Sequence, residues 1–180
     1  LLKIAKTIPN IVYVNQVGGQ DELVFDGNSF VIDDGKLTFI ASDVFDNSYP
    51  LVDIGSIGTK ITIPKREQDS LKELEEVLVL GLRDYVKNNK FPGVVLGMSG
   101  GIDSALVASL AVDALGSQNV HAVMMPSPYT SNESLNDAKE ALNFLNVEYN
   151  ELNIEDSMKI VDKTLLDFKG PDFKLSLIHI

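Results

Sequence analysis

The fold is decided by residues 93–107, which read Gly-Val-Val-Leu-Gly-Met-Ser-Gly-Gly-Ile-Asp-Ser-Ala-Leu-Val. Residues 93–98 form a short apolar run, as expected for a strand that is buried on both faces of a sheet. Residues 104–115 follow a helical pattern, and Gly116 is of the residue type that most often ends a helix. We therefore predict a strand, a glycine-rich loop and a helix, in that order.

Beyond residue 116, strand-like runs alternate with helical runs. Residues 120–125 and 147–152 have the composition of strands, and residues 134–145 between them carry apolar side chains along one helical face. A further helical pattern includes Ile154, Met158, Val161 and Leu165. Such alternation predicts βαβ units and a parallel sheet, and hence an α/β fold.

The upstream region is rich in short β-type segments and turns. We predict a strand at residues 11–14, a loop at residues 18–21 and a hairpin around Asp33-Asp34-Gly35, where glycine accepts a positive φ. Residues 51–54 are predicted to form another strand. Residues 56–69 are predicted to be a linker, because glycine and proline occur there without a clear period.

A helix is predicted to begin at Ser70, because Ser70 and Glu73 have the spacing of a capping box. Asn88 and Asn89 are predicted to end it. Its apolar residues recur at the three-and-four spacing of one buried face. That predicted face consists of Leu71, Leu74, Val77, Leu78, Leu82, Tyr85 and Val86.

The loop between the first parallel strand and its helix has the composition of an anion-binding site. Ligands of open α/β sheets bind outside the carboxyl ends of the strands, where this loop is predicted to lie. Adjacent glycines let backbone amides approach an anion, and the next helix adds free amides and its positive dipole end. The candidate phosphate-binding residues are Gly97, Met98, Ser99, Gly100, Gly101, Ile102, Asp103 and Ser104.

Asp103 is the acidic member of this loop. A carboxylate beside phosphates is useful mainly when it holds a divalent cation, so Asp103 is predicted to bind Mg²⁺. Ser99 and Ser104 are predicted to add hydroxyl donors. Taken alone, the glycine pair could instead be a tight turn, with Asp103 or Ser104 as a helix cap. The loop lacks the lysine of a Walker A site and the glycine spacing of a dinucleotide fingerprint.

Composition restricts the partners of the chain. The formal net charge of −11 repels nucleic acids and anionic membranes at long range, although it leaves room for a nucleotide. No apolar run reaches the length of a membrane span, so neither a membrane nor a nucleic-acid partner is expected. The chain has no cysteine, which excludes disulfides, thiolate metal sites and a cysteine nucleophile within these residues.

Two stretches resemble known families. Residues 99–104, Ser-Gly-Gly-Ile-Asp-Ser, resemble the PP-loop of ATP pyrophosphatases, which adenylate a carboxylate or carbonyl and release pyrophosphate. The surrounding residues 85–147 are similar to NAD synthetases, including Met-Met-Pro-Ser at residues 124–127. Residues 13–30, Tyr-Val-Asn-Gln-Val-Gly-Gly-Gln-Asp-Glu-Leu-Val-Phe-Asp-Gly-Asn-Ser-Phe, resemble the last third of a nitrilase-type glutaminase domain. This order resembles glutamine-dependent NAD synthetases.

The resemblance implies a domain order. Residues 1–55 would be the strand-rich C-terminal part of an α/β nitrilase-like glutaminase domain, followed by the linker at residues 56–69. Residues 70–174 would be the N-terminal part of the PP-loop domain, with a Rossmann-like, adenine-nucleotide-hydrolase-like fold. Residues 175–180 match no part of the family and are expected to be a non-native tail. Both ends are expected to be truncated, which would leave the fragment incomplete for activity.

The resemblance also implies an activity. It is that of a cytoplasmic ligase, a glutamine-hydrolysing NAD synthase that amidates deamido-NAD through an adenylated intermediate. ATP would be held by residues 97–104 and Mg²⁺ by Asp103, with residues 123–126 beside the adenosine; no catalytic residue is assigned. The other implied partners are deamido-NAD, glutamine or ammonia, and further copies of the complete enzyme in a homo-oligomer. The family's Cys, Glu and Lys for glutamine hydrolysis would precede this segment, so this chain is not expected to hydrolyse glutamine.

Several alternatives stay open at this point. The chain could belong to another PP-loop amidotransferase or thiolase, such as a GMP synthetase relative, although residues 13–30 count against this. It could also be a non-catalytic nucleotide-binding module. Glu22 and Asp26 are interpreted as solvated loop carboxylates and His121 as a packed or edge residue. Four hydroxyl residues could either touch a nucleotide or serve in turns and caps: Ser127, Thr130, Ser131 and Ser134.

Overall fold

The computed structural model describes residues 7–41 and 70–169. The chain forms two compact units, divided between Pro92 and Gly93. The strand predicted at residues 51–54, the linker predicted at residues 56–69 and the tail at residues 175–180 lie outside the described residues.

The described part of the first unit contains short antiparallel strands and one long helix. β1, β4 and β5 form a three-stranded sheet in the order β1-β4-β5, and β2 pairs with β3 as a separate hairpin. The strands are β1 (Ile11–Tyr13), β2 (Val17–Gln20), β3 (Leu23–Asp26), β4 (Phe30–Asp33) and β5 (Lys36–Ile40).

The hairpin predicted around residues 33–35 is confirmed. β4 and β5 pair on either side of Asp34 and Gly35, whose φ angles are 49° and 72°. Two consecutive positive φ angles suit the right-handed twist of the flanking strands, which explains the use of aspartate and glycine here. Val31 and Ile32 of β4 are buried and form the apolar centre of this sheet.

The loop predicted at residues 18–21 is wrong, because β2 runs through Val17–Gln20 and pairs with β3 from Val17↔Asp26 to Gln20↔Leu23. Glycine is a poor strand former, so propensity favoured a loop. Asp26 also differs from its interpretation as a solvated loop carboxylate. It ends β3, is partly buried and accepts hydrogen bonds from the side-chain amides of Asn15 and Asn28.

The predicted helix is confirmed as α1 (Ser70–Asn88). Leu80 and Val86 are buried in it, whereas Leu71, Leu74 and Leu78 are exposed, so the predicted buried face is only partly correct. The face that α1 turns to the β2–β3 hairpin includes Gly81 and Asp84 rather than a row of leucines. None of the described helices is long and apolar enough to cross a membrane.

The second unit confirms the predicted α/β fold with a parallel sheet. Its strands pair in the order β6-β7-β8, and both pairings are parallel. The elements are β6 (Val94–Gly97), α2 (Ile102–Leu115), a short 3-10 helix at Ser117–Asn119, β7 (Val120–Met124), α3 (Asn132–Phe144), β8 (Glu148–Glu151) and α4 (Glu155–Lys169).

The core of this unit lies between the sheet and helices α2 and α3. Ala108 and Ala111 of α2 are buried, as are Ala122 and Met124 of β7 and Leu142 of α3. The small alanine side chains on α2 occupy little volume between the helix and the sheet, so the helix backbone can approach the sheet closely. His121 of β7 contacts Asn150 of β8 at an exposed position. The His121 ring nitrogen Nε2 lies 2.8 Å from the Asn150 side-chain oxygen.

Two further contacts position β6 and β8. A Cβ at Gly93, just before β6, would collide with the carbonyl oxygen of Asn119, so the chain passes there in direct backbone contact. Lys139 of α3 lies 2.6 Å from the Glu151 carboxylate of β8. The hydrogen bond to Glu151 raises the pKa of Lys139 above its ordinary value.

We predict that Leu142→Ala lowers the free energy of unfolding of the second unit by about 2–5 kcal/mol, because a large, fully buried side chain is replaced by a cavity. The matched control is Phe144→Ala in the same helix, because Phe144 is 85% exposed. Urea denaturation followed by circular dichroism measures both. Equal losses for the two variants would contradict this assignment of the core.

Candidate functional site: the loop after strand β6

The candidate loop lies at the carboxyl end of β6, as predicted. β6 ends at Gly97 and α2 begins at Ile102. The amide of Met98 donates to the carbonyl oxygen of Val123 at 3.0 Å, and the Met98 side chain is only 4% exposed. Met98 therefore anchors the start of the loop to the neighbouring strand β7, and neither its side chain nor its amide is available to an anion.

The two serines of the loop hold its shape. The Ser104 hydroxyl donates to the carbonyl oxygen of Gly101 at 2.9 Å, so its single proton is used there. The Ser99 and Ser104 hydroxyl oxygens are 3.0 Å apart, and Ser99 must then be the donor of that pair. Ser99 also accepts from the Gly101 amide at 3.2 Å. In this conformation both hydroxyl protons serve the loop, whereas the sequence suggested that they serve a ligand.

Gly100 is in contact with the first turn of α3. Its φ is +85°, in the left-handed region that favours glycine, and a Cβ there would collide with the carbonyl oxygen of Ser134. Gly101, in contrast, has φ −82° and ψ 159°, which any residue adopts, and is the N-cap of α2. The two adjacent glycines therefore have different roles.

Several backbone amides of the loop have no acceptor. The first intrahelical bond of α2 is donated by Ala105 to the carbonyl oxygen of Gly101, and no side chain caps the helix. Among the described residues, nothing accepts a hydrogen bond from the amides of Gly100, Ile102 or Asp103. Together with the positive end of the α2 dipole, these donors form a local site for an anion.

Asp103 is the acidic residue of the same segment. Asp103 is exposed in the first turn of α2, and no described residue forms a hydrogen bond or ion pair with it. The described residues contain no group of three His, Cys, Asp or Glu side chains that could bind a metal by themselves. A cation at Asp103 would therefore need additional ligands from a bound molecule, as Mg²⁺ commonly takes from phosphates. The Ile102 side chain beside it is 83% exposed.

An apolar surface adjoins the loop on the side of β7. Gly97 has no side chain, and a Cβ there would lie 3.3 Å from the terminal methyl of Met125. Met125, which is 49% exposed, is one of residues 123–126 that were predicted to lie beside the adenosine. Met124 is buried in the core and is not accessible.

The downstream hydroxyls have local structural roles. Ser131 is the N-cap of α3 and accepts from the Ser134 amide at 3.1 Å. The Ser127 and Thr130 side chains close a turn, in which Thr130 accepts from the Ser127 amide at 3.0 Å. The sequence did not predict the contact between Gly100 and the carbonyl oxygen of Ser134. A main-chain carbonyl has the same chemistry in every residue, so no residue type in the sequence indicates such a contact.

These features define the second unit as a parallel α/β fold with a glycine-rich loop at the carboxyl end of β6, whose unpaired amides could hold an anion. A profile of the family described as NAD synthase matches residues 74–175. The chain therefore belongs to the NAD synthase family.

Related proteins of similar sequence are named glutamine-dependent NAD(+) synthetases. The chain is 42% identical to the glutamine-dependent NAD(+) synthetase of Acinetobacter baylyi, over 89% of this chain and 30% of the relative. It is also 42% identical to that of Aquifex aeolicus, over 81% of this chain and 32% of the relative. The chain thus spans about 30% of the length of these relatives.

Solved structures show the same likeness. The glutamine-dependent NAD+ synthetase of Acinetobacter baumannii, solved with adenosine diphosphate, matches with a TM-score of 0.85 and 40% identity. This match covers 97% of the present chain and 34% of that chain. An NMN synthetase of Francisella tularensis matches with a TM-score of 0.52 and 33% identity, over 57% of the present chain and 42% of that chain.

We predict that Gly100→Ala destabilises the second unit by about 2 kcal/mol or more. The strain of a positive φ contributes about 1–2 kcal/mol, and the new methyl group must also displace Ser134. Gly101→Ala is the matched control, because its Cβ would lie 3.4 Å from the Ser99 hydroxyl, an ordinary contact. We expect this control to cost less than about 1 kcal/mol in urea denaturation. The reverse order of the two variants would contradict the distinction between the glycines.

Proposed function

We propose that the complete protein is a ligase that amidates deamido-NAD to NAD at the expense of ATP, with ammonia supplied by glutamine. Its membership of the NAD synthase family supports this assignment, as do the printed names of its relatives. The observation that carries the proposal is the loop at residues 97–104, in which the amides of Gly100, Ile102 and Asp103 and the Asp103 carboxylate have no hydrogen-bond partner among the described residues.

In this proposal the loop is a PP-loop that binds the phosphates of ATP. The amides of Gly100, Ile102 and Asp103 donate to phosphate oxygens, and the dipole of α2 opposes their negative charge. The same donors then stabilise the charge that develops on pyrophosphate as it leaves. Because the serine hydroxyls already fix the loop, these amides are held in position before the nucleotide arrives.

Asp103 fits a Mg²⁺ site, because it is exposed in the first turn of α2, next in sequence to the unpaired amide of Ile102, and has no partner among the described residues. Bound there, Mg²⁺ would neutralise phosphate charge and so favour release of pyrophosphate. The described residues contain no group of three His, Cys, Asp or Glu side chains, which suits a cation that binds together with its nucleotide.

The adenosine is proposed to lie along Met125 and the bare edge at Gly97. A side chain at Gly97 would occupy the space between the strand end and the Met125 methyl. The nicotinate carboxylate of deamido-NAD is a poor electrophile, and its adenylation supplies a leaving group that ammonia displaces. These 180 residues contain no cysteine, so the cysteine nucleophile of the proposed glutaminase is not among them. The proposed setting is the cytoplasm, with the complete enzyme as a homo-oligomer.

We predict that Asp103→Asn weakens Mg²⁺-dependent binding of ATP by roughly 10–100-fold, the scale on which altered metal-site partners change affinity. Isothermal titration with ATP, with and without Mg²⁺, measures the effect. Asp113→Asn is the matched control, because Asp113 is an exposed aspartate near the other end of α2. Equal ATP affinity of Asp103→Asn and the unmodified chain in Mg²⁺ would remove the metal assignment.

The reaction itself is tested by exchange of labelled pyrophosphate into ATP, with a polypeptide of the relatives' full length. We expect exchange that depends on added deamido-NAD, because adenylation of that acceptor is the reversible step. ATP binding without exchange would favour a non-catalytic nucleotide-binding module. Exchange with a different acceptor would favour another PP-loop amidotransferase.

A further inference from the structure

The β2–β3 hairpin and α1 are in direct backbone contact. A Cβ at Gly19 of β2 would lie 3.1 Å from the Cα of Gly81 in α1 and 3.2 Å from the Cβ of Asp84. In the other direction, a Cβ at Gly81 would lie 2.9 Å from a methyl of Val24 in β3. Glycine on both sides therefore allows the strand and the helix to approach more closely than side chains would permit.

One charged hydrogen bond fixes the register of this contact. The Asp84 carboxylate accepts from the Gly19 amide at 2.8 Å, across 65 residues of sequence. The Asp84 side chain is 23% exposed, so water reaches it only in part. A hydrogen bond to a charged acceptor is about twice as strong as a neutral one, which makes Asp84 the polar anchor of the contact.

The contact joins two regions of different resemblance. The hairpin belongs to residues 13–30, which resemble a glutaminase domain, whereas α1 lies largely within residues 74–175, which match the NAD synthase profile. α1 ends at Asn88, and the chain continues directly into β6 (Val94–Gly97) and the phosphate loop. Along the chain, α1 and a short connection therefore separate the hairpin contact from the candidate phosphate loop.

We propose that Asp84 is a positioning residue, which with Gly19 and Gly81 links the glutaminase-like region to the helix that leads into the nucleotide loop. The proposal rests on the function proposed above and adds to it a residue, Asp84, that holds the two regions together. Asp84 touches no substrate in this role. It holds α1 against the hairpin, so that ammonia released upstream is used at the adenylated acceptor.

The test compares two nitrogen sources in a polypeptide of the relatives' full length. For Asp84→Ala we expect NAD formation from added ammonia to change less than twofold, while formation from glutamine falls roughly fivefold or more, the lower end of ordinary coupling between sites. Asp84→Asn keeps an oxygen that can accept from Gly19. Its ratio of NAD formation from glutamine to NAD formation from ammonia should therefore lie between those of Asp84→Ala and the unmodified protein. Gly81→Ala should lower the ratio as well, by pressing on Val24.

Glu75→Gln is the matched control, because Glu75 is an exposed acid on the same helix and its variant should leave the ratio unchanged. A second readout is hydrogen exchange of the Gly19 amide in the 180-residue chain, which should become faster in Asp84→Ala. An unchanged ratio in an active protein, or unchanged exchange at Gly19, would overturn the link. If the unmodified protein makes no NAD from ammonia, the proposed function is itself wrong and the coupling fails with it.

Discussion

At Gly100 the backbone of the loop touches the carbonyl oxygen of Ser134 so closely that a side chain has no room. Gly100 has a positive φ in the turn between β6 and α2, and the amides of Gly100, Ile102 and Asp103 in this turn have no acceptor among the described residues. The serine hydroxyls then hold the turn from within. The anion-binding capacity of the loop is therefore a product of main-chain packing, and the side chains mostly maintain it.

The electrostatics of this site are local. The chain as a whole carries a formal charge of −11, which disfavours the approach of any polyanion. A loop of unpaired amides at a helix start needs no basic side chain to hold phosphate, because its partial charges are fixed in direction. Asp103 adds a negative charge in the first turn of α2, where the positive end of the helix dipole favours it, and the proposed Mg²⁺ would offset that charge when phosphate is bound. Acidic composition and nucleotide binding are therefore compatible here.

The sequence predicted the second unit well. Its helix and strand periods, the glycine after α2 and the Ser-Gly-Gly motif all indicate the same order of strand, loop and helix. It predicted the first unit less well. The propensity of Gly18 and Gly19 favoured a loop, yet both residues lie in β2. A strand without side chains at these positions allows α1 to pack closely against it. The leucines of α1 suggested one buried face, whereas the contact with the hairpin uses Gly81 and Asp84. Close packing of glycine against glycine leaves no hydrophobic period, so sequence patterns could not reveal it.

The contact between Gly100 and Ser134 also bears on how small a working version of the nucleotide site can be. A peptide that contained only β6, the loop and α2 would carry every residue of the motif, but it would lack the carbonyl against which the loop bends. The smallest autonomous version must therefore extend through β7 into the first turn of α3. Transplanting the motif into another protein would require a similar neighbour at Gly100, because the internal hydrogen bonds of Ser99 and Ser104 supply only part of the contacts of the loop.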